Sequence, residues 1–153
     1  MKKFIAILFL TFGVSTFNAQ ELTWHTDVSQ ASDLAIKNKK PLLLFFTGSD
    51  WCGWCIRLQK EVFKTPEFIK WANENVTLVE LDFPRRKQLP AELVQQNKNL
   101  EQMFGIRGYP TVWLVTAALA DGKVSFNRLG STGYVAGGPE AWLTVADQIL
   151  KNK

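Results

Sequence analysis

Cys52 and Cys55 are the only cysteines of the chain, and they stand two residues apart in Trp51-Cys52-Gly53-Trp54-Cys55. The residues before them read as a strand and those after them as a helix. A thiol at a helix N-terminus is acidified, and a second thiol one turn on lies within reach of it, so the spacing predicts thiol–disulfide chemistry. A purely structural bridge explains the pair less well, because closing so short a loop removes little chain entropy. Zinc is not expected either. It takes four ligands, and two cysteines with the single, distant His25 cannot supply them from one chain. His25 reads as an ordinary strand residue, and no cofactor is called for.

The pair must be positioned by its flanks. Leu42-Leu43-Leu44-Phe45-Phe46-Thr47 has no polar alternation, as expected of a strand buried on both faces. The helix after it is predicted from about Cys52 to Phe63. Upstream, residues 22–25 read as a short strand. Asp27 then caps a helix carrying Ala31, Leu34 and Ala35 at helical spacing, with Lys37, Lys39 and Lys40 suiting its C-terminal dipole and Pro41 stopping it. Downstream, Thr65-Pro66 opens a helix whose apolar face is Phe68, Ile69 and Ala72. A strand at 76–82 and a polar loop at 84–90 follow. The next helix carries Leu93, Val94, Leu100, Met103 and Phe104 and runs to Gly105. Residues 111–115 and 124–129 pair about an Asp121-Gly122 turn. The glycine-rich stretch 130–138 reads as a loop, and Pro139-Glu140 opens a last helix with Trp142, Val145, Ala146, Ile149 and Leu150 inward. The alternation predicts an α/β fold, a central mixed sheet of four to five strands with helices on both faces.

A chain of 153 residues suits one such domain. The segment 1–19 is set apart from it: Lys2-Lys3, an apolar run from Phe4 to Leu10, then small and polar residues to Ala19. This is the pattern of a secretory signal, with cleavage expected after Ala19, leaving a domain at 20–153. The apolar run is too short for a permanent membrane anchor, and export to the periplasm or medium is the expectation. The basic residues are scattered, apart from Arg85-Arg86-Lys87, which reads as solvated surface or as a patch for docking a partner. No aromatic-interleaved basic stripe points to nucleic acid.

Two motifs together resemble the thioredoxin superfamily: Trp51-Cys52-Gly53-Trp54-Cys55 behind its apolar strand, and Gly105-Ile106-Arg107-Gly108-Tyr109-Pro110-Thr111 before the hairpin. Within it, Gly48-Ser49-Asp50-Trp51-Cys52 and Glu61-Val62-Phe63 are similar to exported domains related to the C-terminal domain of DsbD-type reductases. The resemblance implies Cys52 as attacking nucleophile and Cys55 as the shielded, resolving thiol, with Gly53 allowing a tight turn between them. It implies a cis Pro110 against the pair, leaving the Tyr109 backbone to pair with an extended substrate. Trp51, Gly53, Trp54, Tyr109 and Pro110 are thus the candidate substrate-binding residues, Trp51 more as packing beneath the site. Trp54 stands where many relatives have Pro or His. Without a histidine's charge, a couple less oxidising than DsbA is expected, on a scale running from about −120 to about −270 mV. Many thioredoxins also carry a buried Asp six residues before the first cysteine; here that residue is Phe46. Asp50, Glu61 and Asp82 read as surface or loop residues that do not replace it.

The reading that follows is an exported, monomeric oxidoreductase, a reductant or isomerase of exported proteins, resupplied with electrons from a source such as a membrane reductase. Three alternatives stay open. The same pair could act as an oxidase. A thiol peroxidase would use Ser49 three residues before Cys52, although Phe45 stands where such sites carry proline. A binding or chaperone module would need neither cysteine.

Overall fold

Six consecutive residues, Leu42–Thr47, are fully buried and form β2, the strand around which the rest is laid. The structure is a computed structural model that describes residues 22–153; the expected signal segment lies outside them. β2 pairs in parallel with β3 (Thr77–Asp82) and antiparallel with β4 (Thr111–Ala120). β1 (Trp24–His25) extends the sheet beyond β3, and β5 (Lys123–Thr132) closes it beyond β4 in a hairpin. The result is one five-stranded mixed sheet in the order β1-β3-β2-β4-β5.

Side chains alternate across the sheet, and the two faces make two cores. Leu43 and Phe45 join Leu78, Val112 and Leu114 on one face. This face is covered by α2 (Gly53–Leu58), the π-helical segment Gln59–Phe63, α3 (Pro66–Asn75) and α5 (Gly138–Leu150). Trp142 is wholly buried there, edge-on to Phe63, Phe68 and Trp71. Leu42, Leu44 and Phe46 point to the other face, under α1 (Val28–Asn38) and α4 (Ala91–Phe104).

Local chemistry explains the helix ends. The Asp27 carboxylate accepts from the N–H groups of Ser29 and Gln30, and Thr65 Oγ1 accepts from that of Phe68. Gly105, at φ +62°, ends α4. The predicted helix from Cys52 to Phe63 changes character midway: after Leu58 it becomes π-helical, with Lys64 N donating to Gln59 O at 3.0 Å.

Several expectations are corrected. Leu34, Val94 and Met103 are exposed, and Asn97 is buried on α4 in their stead, donating to Asp82 O at 2.9 Å. The hairpin strands run farther than 111–115 and 124–129, because the backbone ladder continues through the alanines to Ala120↔Lys123. Residues 130–132 are therefore strand, not loop.

Candidate active site

Cys52 is the N-cap of α2 and Cys55 lies in its first turn. They are joined as a disulfide, Cα to Cα 5.2 Å, and Cys52 Sγ accepts from the Cys55 N–H at 3.2 Å. The Cys55 N–H and the positive end of the helix dipole bear on that sulfur, which favours a thiolate once the bridge is opened. Cys55 is completely buried and Cys52 is 6% exposed, so the outer sulfur belongs to Cys52. Gly53 is exposed, has no left-handed backbone, and a Cβ there would meet nothing. No tight turn requires glycine at this position.

On one side of the pair, Trp51 is half-buried and its Nε1 donates to Phe83 O at 2.7 Å. Tyr109 meets its ring edge-on at 5.7 Å, and Arg85 Cζ lies 3.8 Å from its centroid. The Tyr109–Pro110 bond is cis, and the second motif meets the first through the Trp51 and Tyr109 rings. Tyr109 donates its hydroxyl to Glu101, and burial together with that carboxylate pushes its ionisation far up. The Asp50 carboxylate accepts from the backbone N–H groups of Arg85 and Arg86, at 2.9 and 2.7 Å, and these hold it below its ordinary pKa.

On the other side, Trp54 is 55% exposed. Its ring lies 5.1 Å from that of Tyr134, and Arg57 Cζ lies 5.4 and 5.1 Å from the two centroids. Glu61 accepts from the Tyr134 hydroxyl and pairs with Arg57 at 2.7 Å; these two partners, Tyr134 first, hold its pKa down. Tyr134 adjoins Gly133, whose missing Cβ would stand 3.2 Å from Pro110 O. Sequence reasoning missed Tyr134, since nothing in a glycine-rich stretch marks its distant partner. Arg57 was missed as well, although its place three residues after Trp54 on the same helix was a signal for it.

Beneath the pair the expected departure takes another form. Phe46 is buried, but on the far face of the sheet against Phe104, so it does not line the cysteine side. By strand alternation that side belongs to Phe45 and Thr47, and to Glu80 and Asp82 of β3, their register partners. Thr47 Oγ1 is the one buried side-chain polar atom among the described residues without a hydrogen-bond partner. Asp82 is no surface residue: it is 6% exposed, accepts from Ser49 N and Oγ at 2.8 and 2.6 Å, and pairs with Lys87 at 2.7 Å. Ser49 Oγ is thereby committed to a carboxylate rather than presented to a peroxide. Glu80, also missed, lines a cavity of about 190 Å³ with Phe45, Gln59 and Phe63. Burial, then the charge of Asp82, raises its pKa.

A disulfide at a helix cap, with one sulfur reaching the surface and the other wholly buried, is equipped for exchange with other thiols, and the sheet carrying it has thioredoxin topology; the protein is a thiol–disulfide oxidoreductase of the thioredoxin class. More particularly, the chain belongs to the thioredoxin-like domain family whose model matches residues 28–148. It is 33% identical over 133 residues to the disulfide bond reductase DsbH of Chlamydia pneumoniae, covering 87% of this chain and 75% of that protein. It is 32% identical over 141 residues to the thioredoxin-related protein DsbJ of the same organism, but these span only 39% of DsbJ against 88% of this chain. The structure of a DsbH oxidoreductase superposes with a TM-score of 0.75 at 31% identity, covering 86% of each chain. The DsbD C-terminal domain of Neisseria meningitidis, in its oxidised form, shares the fold at a TM-score of 0.53 and 21% identity, over 82% of this chain and 98% of that one.

Proposed function

We propose that this chain is an exported reductase or isomerase of protein disulfides, in which Cys52 attacks and Cys55 resolves. The observation that carries the assignment is the pair itself, with Cys52 outermost at the helix cap and Cys55 wholly buried behind it. In the reduced protein the Cys52 thiolate attacks one sulfur of a client disulfide. A mixed disulfide forms and the other client sulfur leaves as a thiolate, which takes up a proton. Cys55 gives up its proton and attacks Cys52 Sγ, releasing the second client thiolate and forming the Cys52–Cys55 bridge. The client gains two electrons and the protein loses them. A thiol donor, such as a membrane reductase, must then reduce the bridge for another cycle.

The reducing direction is supported by the kinship with a protein named a disulfide bond reductase. It is also supported by the surroundings of Cys52, where Trp54 supplies no titratable charge and Arg57 is balanced by Glu61. Trp51, Trp54, Tyr109 and Pro110 form the rim on which an extended client segment lies, with Gly53 leaving it room. The chain works as a monomer in the periplasm or medium, delivered by its N-terminal segment.

Two measurements test this. Equilibration with a thiol buffer of known potential should place the couple nearer thioredoxin's, about −270 mV, than DsbA's, about −120 mV; a value at the DsbA end makes the protein an oxidase. Cys55→Ser should accumulate mixed disulfides with exported proteins through Cys52, identified by mass spectrometry. If Cys55→Ser traps nothing while Cys52→Ser does, the roles are reversed, and if neither does, the fold serves binding alone.

A further inference from the structure

The acids around the cysteine pair are committed to partners within the protein, while several of the cations are not. Asp50 is held by the backbone of the 85–86 turn, Glu61 by Arg57 and Tyr134, Glu101 by Tyr109, and Asp82 by Ser49 and Lys87. Arg85, Arg86 and Arg107 are exposed, and among the described residues no carboxylate forms an ion pair with any of them. Arg85 lies flat against Trp51, the residue adjoining Cys52. Its place is preorganised: Asp50 ties down the backbone N–H of Arg85 and of Arg86, and Trp51 is itself fixed to Phe83 O. Arg107 stands in the loop that leads to the cis bond. On the opposite flank the only guanidinium, Arg57, is neutralised by Glu61 and covers the Trp54 and Tyr134 rings. The rim is therefore polarised, cationic on the Trp51 side and charge-balanced on the Trp54 side.

We propose that Arg85 forms a cationic subsite that selects polypeptide disulfides carrying Asp or Glu within a few residues of the reactive cysteine. An extended segment advances about 3.3 Å per residue, so an acid one to three residues from the client cysteine can reach the guanidinium held over Trp51. The partner's carboxylate supplies the charge that Arg85 lacks within its own chain. Complementary charge at a rim acts chiefly on the rate of encounter and is screened by salt. The inference rests on the exchange reaction proposed above and adds the class of substrate it prefers.

The test uses the reduced protein and short peptides whose one cysteine is capped as a disulfide with a chromophoric aryl thiol. Glu or Lys is placed two residues to either side of the cysteine, and the second-order rate is read from the released thiol. The expected result is that a Glu peptide reacts about tenfold faster than its Lys counterpart at low salt, with the ratio falling toward one at high salt. Arg85→Gln should cut the ratio to about threefold or less, Arg85→Lys should keep most of it, and the remote Lys37→Gln should leave it unchanged. Equal rates for the two peptides at low salt, or a ratio untouched by Arg85→Gln in a variant with native circular dichroism, would overturn the subsite. Hydroxyethyl disulfide, which is uncharged, separates the two proposals. If the wild-type protein reduces it and the charge preference is absent, only the subsite falls; if it is not reduced, the exchange reading falls first.

Discussion

Gly48 shows how closely the residues behind the cysteines are fitted. A Cβ at this position would stand 2.4 Å from Trp51 Cε2 and 2.6 Å from its Nε1. Gly48→Ala must therefore displace the indole from Phe83 O and from beneath Arg85. It should cost about 1–3 kcal/mol in a urea titration and slow exchange with protein disulfides; unchanged midpoint and rate would refute this account of the Trp51 side. Glu80 gives a prediction in pH. Its folded pKa is raised above the ordinary 4.5 by burial and by Asp82, with Lys87 opposing and Lys64 lining the same cavity. The folded state thus holds a proton that the unfolded state releases, so this group's contribution to stability is full below about 4.5 and is lost as pH rises through the raised value. Glu80→Gln should accordingly raise the melting temperature at neutral pH and change it little near pH 4. Equal shifts at both pH values would contradict it. The cysteine pair was legible from spacing alone. The face taken by Phe46 was not, since which side a strand residue faces depends on parity in the folded sheet, and Phe45, Thr47 and Glu80 occupy the cysteine side instead.

At the scale of elements, the active-site helix is short and is handed on to a π-helical segment that carries Glu61, the carboxylate joining Arg57 to Tyr134. Thr65 closes that segment by donating to Val62 O at 2.6 Å and starts α3 by accepting from Phe68 N. Thr65→Ala removes both bonds. It should lower stability by about 1 kcal/mol, read from the urea midpoint at unchanged slope, with the reduction potential unaffected. A shift in potential would mean that the junction is coupled to the couple itself. Strands and helices were recognisable from an unbroken apolar run, as at Leu42–Thr47, or from a cap ahead of helical spacing, as at Asp27 or Thr65. The hairpin was underestimated because its outer half, Ala117 to Ala120, carries no alternation; backbone pairing to β5 decides its length.

For the whole molecule, the sheet separates two cores and presents its cysteine side under α2, α3 and α5. Among the described residues no helix is long and apolar enough to cross a membrane. The proposed export rests on the first nineteen residues, whose pattern reads as a secretory signal. Removing them takes Lys2 and Lys3 from 18 basic residues set against 14 acidic ones and leaves a net charge of +2. Mass spectrometry of the exported protein should find Gln20 as the first residue, and an intact Met1 in that fraction would exclude cleavage. Taken by itself, the sequence determined the redox pair, the strand behind it, the Gly-Tyr-Pro-Thr loop and the order of elements, because each is written in neighbouring residues through periodicity, capping and spacing. Only the tertiary structure decided that Arg85 covers Trp51, that Tyr134 reaches Glu61, that Asp82 is buried beneath Ser49, and that Glu80 lines a cavity with Gln59 and Phe63 of the π-helical segment. These contacts join residues tens of positions apart, and strand register and loop closure, which no local pattern encodes, bring them together.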